Sequence, residues 1–124
     1  MKKYITGDLL HYKICNAKYL IEVTNTSKHG YCFKGVKDNF NGVICDEFIE
    51  DIPLTPEILE KNGWKKDKDG YFNDSYHIRL CESSTNYAAY KVVNKSIVWL
   101  RAVENVSDLQ HLLFGLDISL KIEV

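Results

Sequence analysis

Residues 53–64, PLTPEILEKNGW, constrain the fold more than any other part of the chain, because nearly every position there starts, buries or stops one short helix. Thr55 carries the side-chain oxygen that caps a first turn, and Pro56 suits the first helical position, where a missing N–H removes no bond. Glu57 places a negative charge at the positive end of the helix dipole. Gly63 supplies the left-handed residue that stops a helix, and Trp64 can then fold back on Leu59. Ile58 and Leu59 are expected to face inward, Glu60 and Lys61 water. With no residue left for chemistry, the helix reads as a junction between two differently patterned halves.

The half before it reads as strands. GDLLHY (7–12), KYLIEVT (18–24), GYCFKGV (30–36) and GVICDEFIEDI (42–52) are rich in β-branched and aromatic residues, and turn formers separate them. Tyr19, Ile21 and Val23 alternate with Glu22 and Thr24. Four short strands without a helical period predict a small curled antiparallel sheet over residues 1–53, with an SH3-like barrel as its closed form.

The half after it mixes types. DKDG (67–70) is a turn into a YF pair. SYHIRLC (75–81), YAAYKVV (87–93) and SIVWLRAV (96–103) form a predicted three-strand meander. Ser107 and Gln110 stand at capping-box spacing, and the helix after them lines up Leu109, Leu112, Leu113 and Leu116, with Gly115 as its end. Ile118, Leu120 and Ile122 then alternate as a closing strand. The class is therefore α+β, in two subdomains, 1–53 and 54–124, whose cores are separate or shared.

A chain of 124 residues with 45% hydrophobic and 27% charged residues belongs among globular proteins. Lys+Arg number 16 against 17 Asp+Glu, and the signs stay balanced on both sides of the junction. No net field draws the molecule to double-stranded nucleic acid or an anionic membrane. No segment has the roughly 18 apolar residues of a membrane span. MKKYITGDLL shows a basic pair but no apolar run or small-residue cleavage site, so no secretory signal is expected. Cys15, Cys32, Cys45 and Cys81 stand apart among apolar neighbours and are expected to be buried and reduced, with no metal. The expected location is the cytoplasm.

IPLTPEILEKNGW, with VSDLQHLLFGLDISL about forty residues later, resembles a group of small proteins frequent in Bacteroidetes genomes and their prophage-like elements. In those a β-rich half leads into a PIPLTPEILEKxGF-type segment, and the chain ends in an LQNLYFALTGEEL-type helix. The resemblance is confined to these two segments, and this chain adds a strand-like tail. It implies a cytosolic accessory protein of a mobile element and brings no activity or functional residue with it.

Catalytic patterns are sparse. His11, His29, His77 and His111 lack metal-ligand spacing, and no phosphate-binding glycine loop occurs. Ser83 and Ser84 lack a nucleophile-elbow context. The acidic run CDEFIED (45–51) reads as a charged edge strand. No catalytic residue, cofactor or metal is assigned, and a non-enzymatic role is expected.

One constellation carries a binding hypothesis. If an odd-length loop follows Val93, one face of the second sheet gathers Arg79, Lys91 and Arg101 with Tyr87 and Trp99, cations beside rings that suit a nucleotide or another phosphorylated small ligand. A two-residue loop would mix the faces. The leading expectation is a binding or adaptor protein acting on a protein partner or on itself, as a homo-oligomer, through its aromatic residues. The alternative is a phage-type counter-defence protein that sequesters a nucleotide signal.

Overall fold

A computed structural model of the chain describes residues 4–28, 30–119 and 121–124. The chain divides into two compact units, Met1–Ile52 and Pro53–Val124, each with its own antiparallel sheet.

Tight turns build the first unit. β1 (Leu9–Ile14) and β2 (Ala17–Ser27) meet through a two-residue turn at which Cys15 takes a φ of 54°. β3 (Gly30–Gly35) follows, and Gly30 is obligatory, because a Cβ there would collide with the Ile44 carbonyl and its φ is +144°. β4 (Asn41–Ile44) pairs with β3. The predicted strand 42–52 is broken after β4 by a 3-10 turn (Asp46–Phe48), and the chain returns as β5 (Ile49–Glu50) to pair with β1. The order is β4-β3-β2-β1-β5. No ladder joins β4 to β5 among the described residues, so the closed barrel expected from the sequence is not found.

Alternation in β2 does as expected, since Ile21 and Val23 are fully buried. They join Tyr4, Leu10, Tyr31, Phe33 and Ile44 in one core. Its rings meet edge to face, as in Tyr4–Tyr31 at 5.5 Å and Phe33–Phe40 at 5.7 Å between centroids, the arrangement favoured by their quadrupoles.

The second unit opens with α1 (Pro56–Lys61). Thr55 accepts from the Ile58 N–H and Pro56 begins the helix. Gly63, at φ 87°, donates to the Glu60 carbonyl and Trp64 to that of Leu59, the paired bonds of a Schellman stop. Leu59 and Trp64 are both buried, as the sequence predicts.

Five strands follow instead of three: β6 (Lys65–Asp67), β7 (Gly70–Asn73), β8 (Ile78–Glu82), β9 (Tyr87–Val93) and β10 (Ser96–Val103), paired in chain order. DKDG is itself a hairpin turn, with Asp67 opposite Gly70. β8 starts later than predicted because Asn73 Oδ1 accepts from the N–H groups of Ser75 and Tyr76, and His77 is left-handed at φ 55°.

α2 (Val106–Gly115) also begins earlier than predicted. Its capping box is Asn105 with Asp108, not Ser107 with Gln110, and the Ser107 hydroxyl donates to Asn105 Oδ1. Leu109, Leu112 and Leu113 are buried while Leu116 is half-buried. Gly115 remains helical, and Asp117, at φ 59°, turns the chain instead. The closing strand is not formed by residues 118–119 and 121–124, and Leu120 lies outside the described residues.

Candidate functional site

Register decides which side chains share a face of the second sheet. Glu82 lies opposite Tyr87 across a four-residue loop, and Val93 lies opposite Ser96 across a two-residue turn at Asn94 and Lys95. Asn94 tolerates that turn by adopting φ 55°. Both loops are even, so the five-residue face expected from the sequence is divided. Arg79 and Trp99 lie on one face, while Tyr87, Lys91 and Arg101 lie on the other with Leu80 and Ala89. A bulge between Trp99 and Arg101 completes the reversal.

The three residues on the second face are otherwise engaged. Tyr87 is buried, and that burial, with Glu82 beside it, pushes its hydroxyl pKa upward. Lys91 Nζ donates to the Tyr76 carbonyl at 2.6 Å. Arg101 donates to Asp108 Oδ1 at 3.2 Å. A ligand would have to displace each contact.

The first face holds a different row. Successive pairings place Lys65, Phe72, Arg79, Tyr90 and Trp99 side by side across all five strands. Phe72 and Tyr90 belong to this row, unlike in the face expected from the sequence, because β7 is a full strand and both connecting loops are even. The Arg79 guanidinium stands over the Phe72 ring, 5.2 Å from its centroid. It also bonds the Asp67 carboxylate. That bond, ahead of one from the Asp69 N–H, holds the Asp67 carboxyl below its ordinary pKa. Lys65 lies 3.5 Å from Asp74. The row is aromatic, and Asp67 and Asp74 beside it match its two positive charges.

At the edge of this face stands β10, the last strand in the order. Ile97 is 65% exposed, Val98 49% and Trp99 60%. Residues 96–100, SIVWL, carry no charge. Val92 donates its N–H to the His77 carbonyl and so turns toward β8. By antiparallel alternation, Val93 and Lys91 then turn toward β10, and Ile97 and Trp99 direct their own main-chain groups away from β9. Leu54 donates to the Glu104 carbonyl just past the strand.

Other candidates do not converge. His11 is half-buried on β1, held below its ordinary pKa by burial and by Lys18, and its Nδ1 has no hydrogen-bond partner. Glu50, opposite it, is lowered by its bond from Lys18. His29 lies outside the described residues, as does the side chain of Asp46 in the acidic run. The cysteines depart from expectation. All four are free, but Cys15 and Cys45 are exposed and Cys32 and Cys81 only half-buried, because the first two fall at turns and the others on strand faces that the cores do not cover. Among the described residues no three of His, Cys, Asp and Glu gather as a metal site. An open depression of about 340 Å³ is lined by Glu82, Glu104, Tyr87, Ser83 and Asn86, where Ser83 Oγ is held by the Asn86 carbonyls at 3.0 and 2.7 Å. No helix of the described residues is long and apolar enough to cross a membrane.

Fold and surface together define a class: a two-unit α+β protein with an internally neutralised aromatic sheet face and an apolar strand edge. No family model, curated protein or solved structure matches the chain.

Proposed function

We propose that this is a non-enzymatic binding protein, an accessory protein of mobile-element type acting in the cytoplasm through a protein–protein or self-association surface centred on β10. The observation that carries the reading is the exposure of three consecutive apolar side chains, Ile97, Val98 and Trp99, on an edge strand. Burying a large apolar side chain is worth about 1.5–3 kcal/mol, so leaving three in water forgoes several kcal/mol. Edge strands are ordinarily guarded by charges or proline, and residues 96–100 have neither. Such an edge accepts an added strand by main-chain bonding. The mobile-element element of the reading rests on the two resembling segments alone. The first unit fits as an SH3-like module, given its strand order and the short 3-10 turn before β5 returns to β1.

The test is affinity capture from host lysate with the wild-type chain and with Trp99→Glu, both first shown to melt alike. A protein, its own copy included, should be retained by the wild type and lost by the variant. Equal retention, or none by either, would remove the reading.

A second reading, sequestration of a nucleotide, draws on the Phe72–Arg79–Tyr90–Trp99 row, whose rings offer stacking surfaces. Because Arg79 is held by Asp67, phosphate would have to compete for it, and the protein-binding reading leads. A panel of mono-, di- and cyclic nucleotides should raise the melting temperature if this second reading holds. Arg79→Ala or Trp99→Ala should cancel the rise.

A further inference from the structure

Residues 121–124 form no helix or strand, yet Ile122 is only 2% exposed. One side chain does most of the holding. The Asn62 amide donates to the Glu123 carbonyl at 2.7 Å, and Asn62 Oδ1 accepts the Glu123 N–H at 2.7 Å. Both main-chain groups of one residue are therefore bonded as a neighbouring β-strand would bond them. The same amide nitrogen donates to the Ile58 carbonyl at 2.7 Å, inside the last turn of α1. That bond lies within the helix end and does not involve the tail. Lys61 Nζ reaches the main-chain oxygen of Val124 at 3.2 Å. The receiving groups are thus Asn62 and Lys61 at the C-terminal end of α1, and the tail supplies an apolar anchor followed by an extended backbone.

We infer that this seat is a docking site for an extended peptide, and that residues 121–124 are its tethered occupant. The chemistry it recognises is a branched apolar side chain, then a residue offering both its N–H and C=O to Asn62, then a main-chain oxygen for Lys61. None of the three main-chain contacts depends on the side chain of Glu123 or Val124, so partners need share only the anchor and the extended backbone. A short tether gives the resident segment an effective concentration of about millimolar. A competing peptide at lower concentration is therefore excluded until the tail is released. The inference is independent of the β10 surface.

The test uses the full chain with Ile122→Asp, which removes the anchor, after a melting curve shows that it folds. A synthetic peptide of residues 119–124, SLKIEV, is titrated to millimolar concentration against it and followed by NMR. Saturable shifts are expected around Asn62 and Lys61. The wild-type chain should need a several-fold higher peptide concentration to reach the same shifts, because its own tail competes, the peptide SLKDEV should be inert, and adding Asn62→Ala should weaken binding at least tenfold. If Ile122→Asp does not fold, Ile122→Ala carries the same titration. A folded variant that ignores the peptide, or a wild-type chain that binds it equally well, overturns the proposal.

Discussion

Single residues decide more of this structure than their types announce. Asn105 is buried, caps α2 and accepts from both the Asp108 N–H and the Ser107 hydroxyl. Replacing it with alanine removes the cap and two hydrogen bonds, so Asn105→Ala should cost about 1–2 kcal/mol in chemical denaturation. Ser107→Ala should cost less, and the reverse order would mean the cap is misassigned. Gly30→Ala should cost about 2–4 kcal/mol, since the new carbon meets a backbone carbonyl that cannot swing away. His11 gives a pH dependence. Its folded-state pKa is lowered, so the unfolded chain takes up the proton first as pH falls through about 6.5. Stability from the neutral ring is complete above that pH and declines from there down to the folded-state value. His11→Gln should flatten the melting temperature across that window, and an unchanged slope would assign it to other groups.

Among the elements, those specified locally were legible. Thr55, Pro56 and Gly63 start and stop α1 using contacts within a few residues, and the Ile21–Val23 alternation marked a buried face. Elements set by pairing were not. The three-residue strand β6 has no periodicity to detect, and the faces of β9 and β10 depend on whether the connecting loops are odd or even. Nothing local separates Asn94 as a left-handed turn residue from Asn94 in a longer loop. The expected five-residue face is divided for that reason: Arg79 and Trp99 share a face, but Tyr87, Lys91 and Arg101 do not join them. The exposed edge yields a prediction on the same scale. Ile97→Lys places a charge on β10 without disturbing buried contacts, so stability should change by less than about 0.5 kcal/mol. Sedimentation at high concentration should show less association than for the wild type; a large loss of stability would mean Ile97 is packed.

At the scale of the whole molecule, the division into Met1–Ile52 and Pro53–Val124 bears on folding. The second unit has two capped helices and a continuous five-strand meander, with Leu59, Trp64, Tyr71, Ile78, Leu80 and Leu113 almost wholly buried. A fragment beginning at Pro53 is expected to unfold cooperatively in urea by circular dichroism. A featureless transition would show that this core depends on the other unit. The first unit, at about fifty residues, is near the size where one core barely offsets chain entropy, and its fragment should be markedly less stable.

The partnering of Arg79 by Asp67 and of Lys65 by Asp74 has a consequence for conditions of use. A surface that has already settled its own electrostatics releases few counterions when covered, so complexes formed there should persist from dilute buffer to half-molar sodium chloride, about 0.5 M, where a phosphate-gripping interface would fall apart.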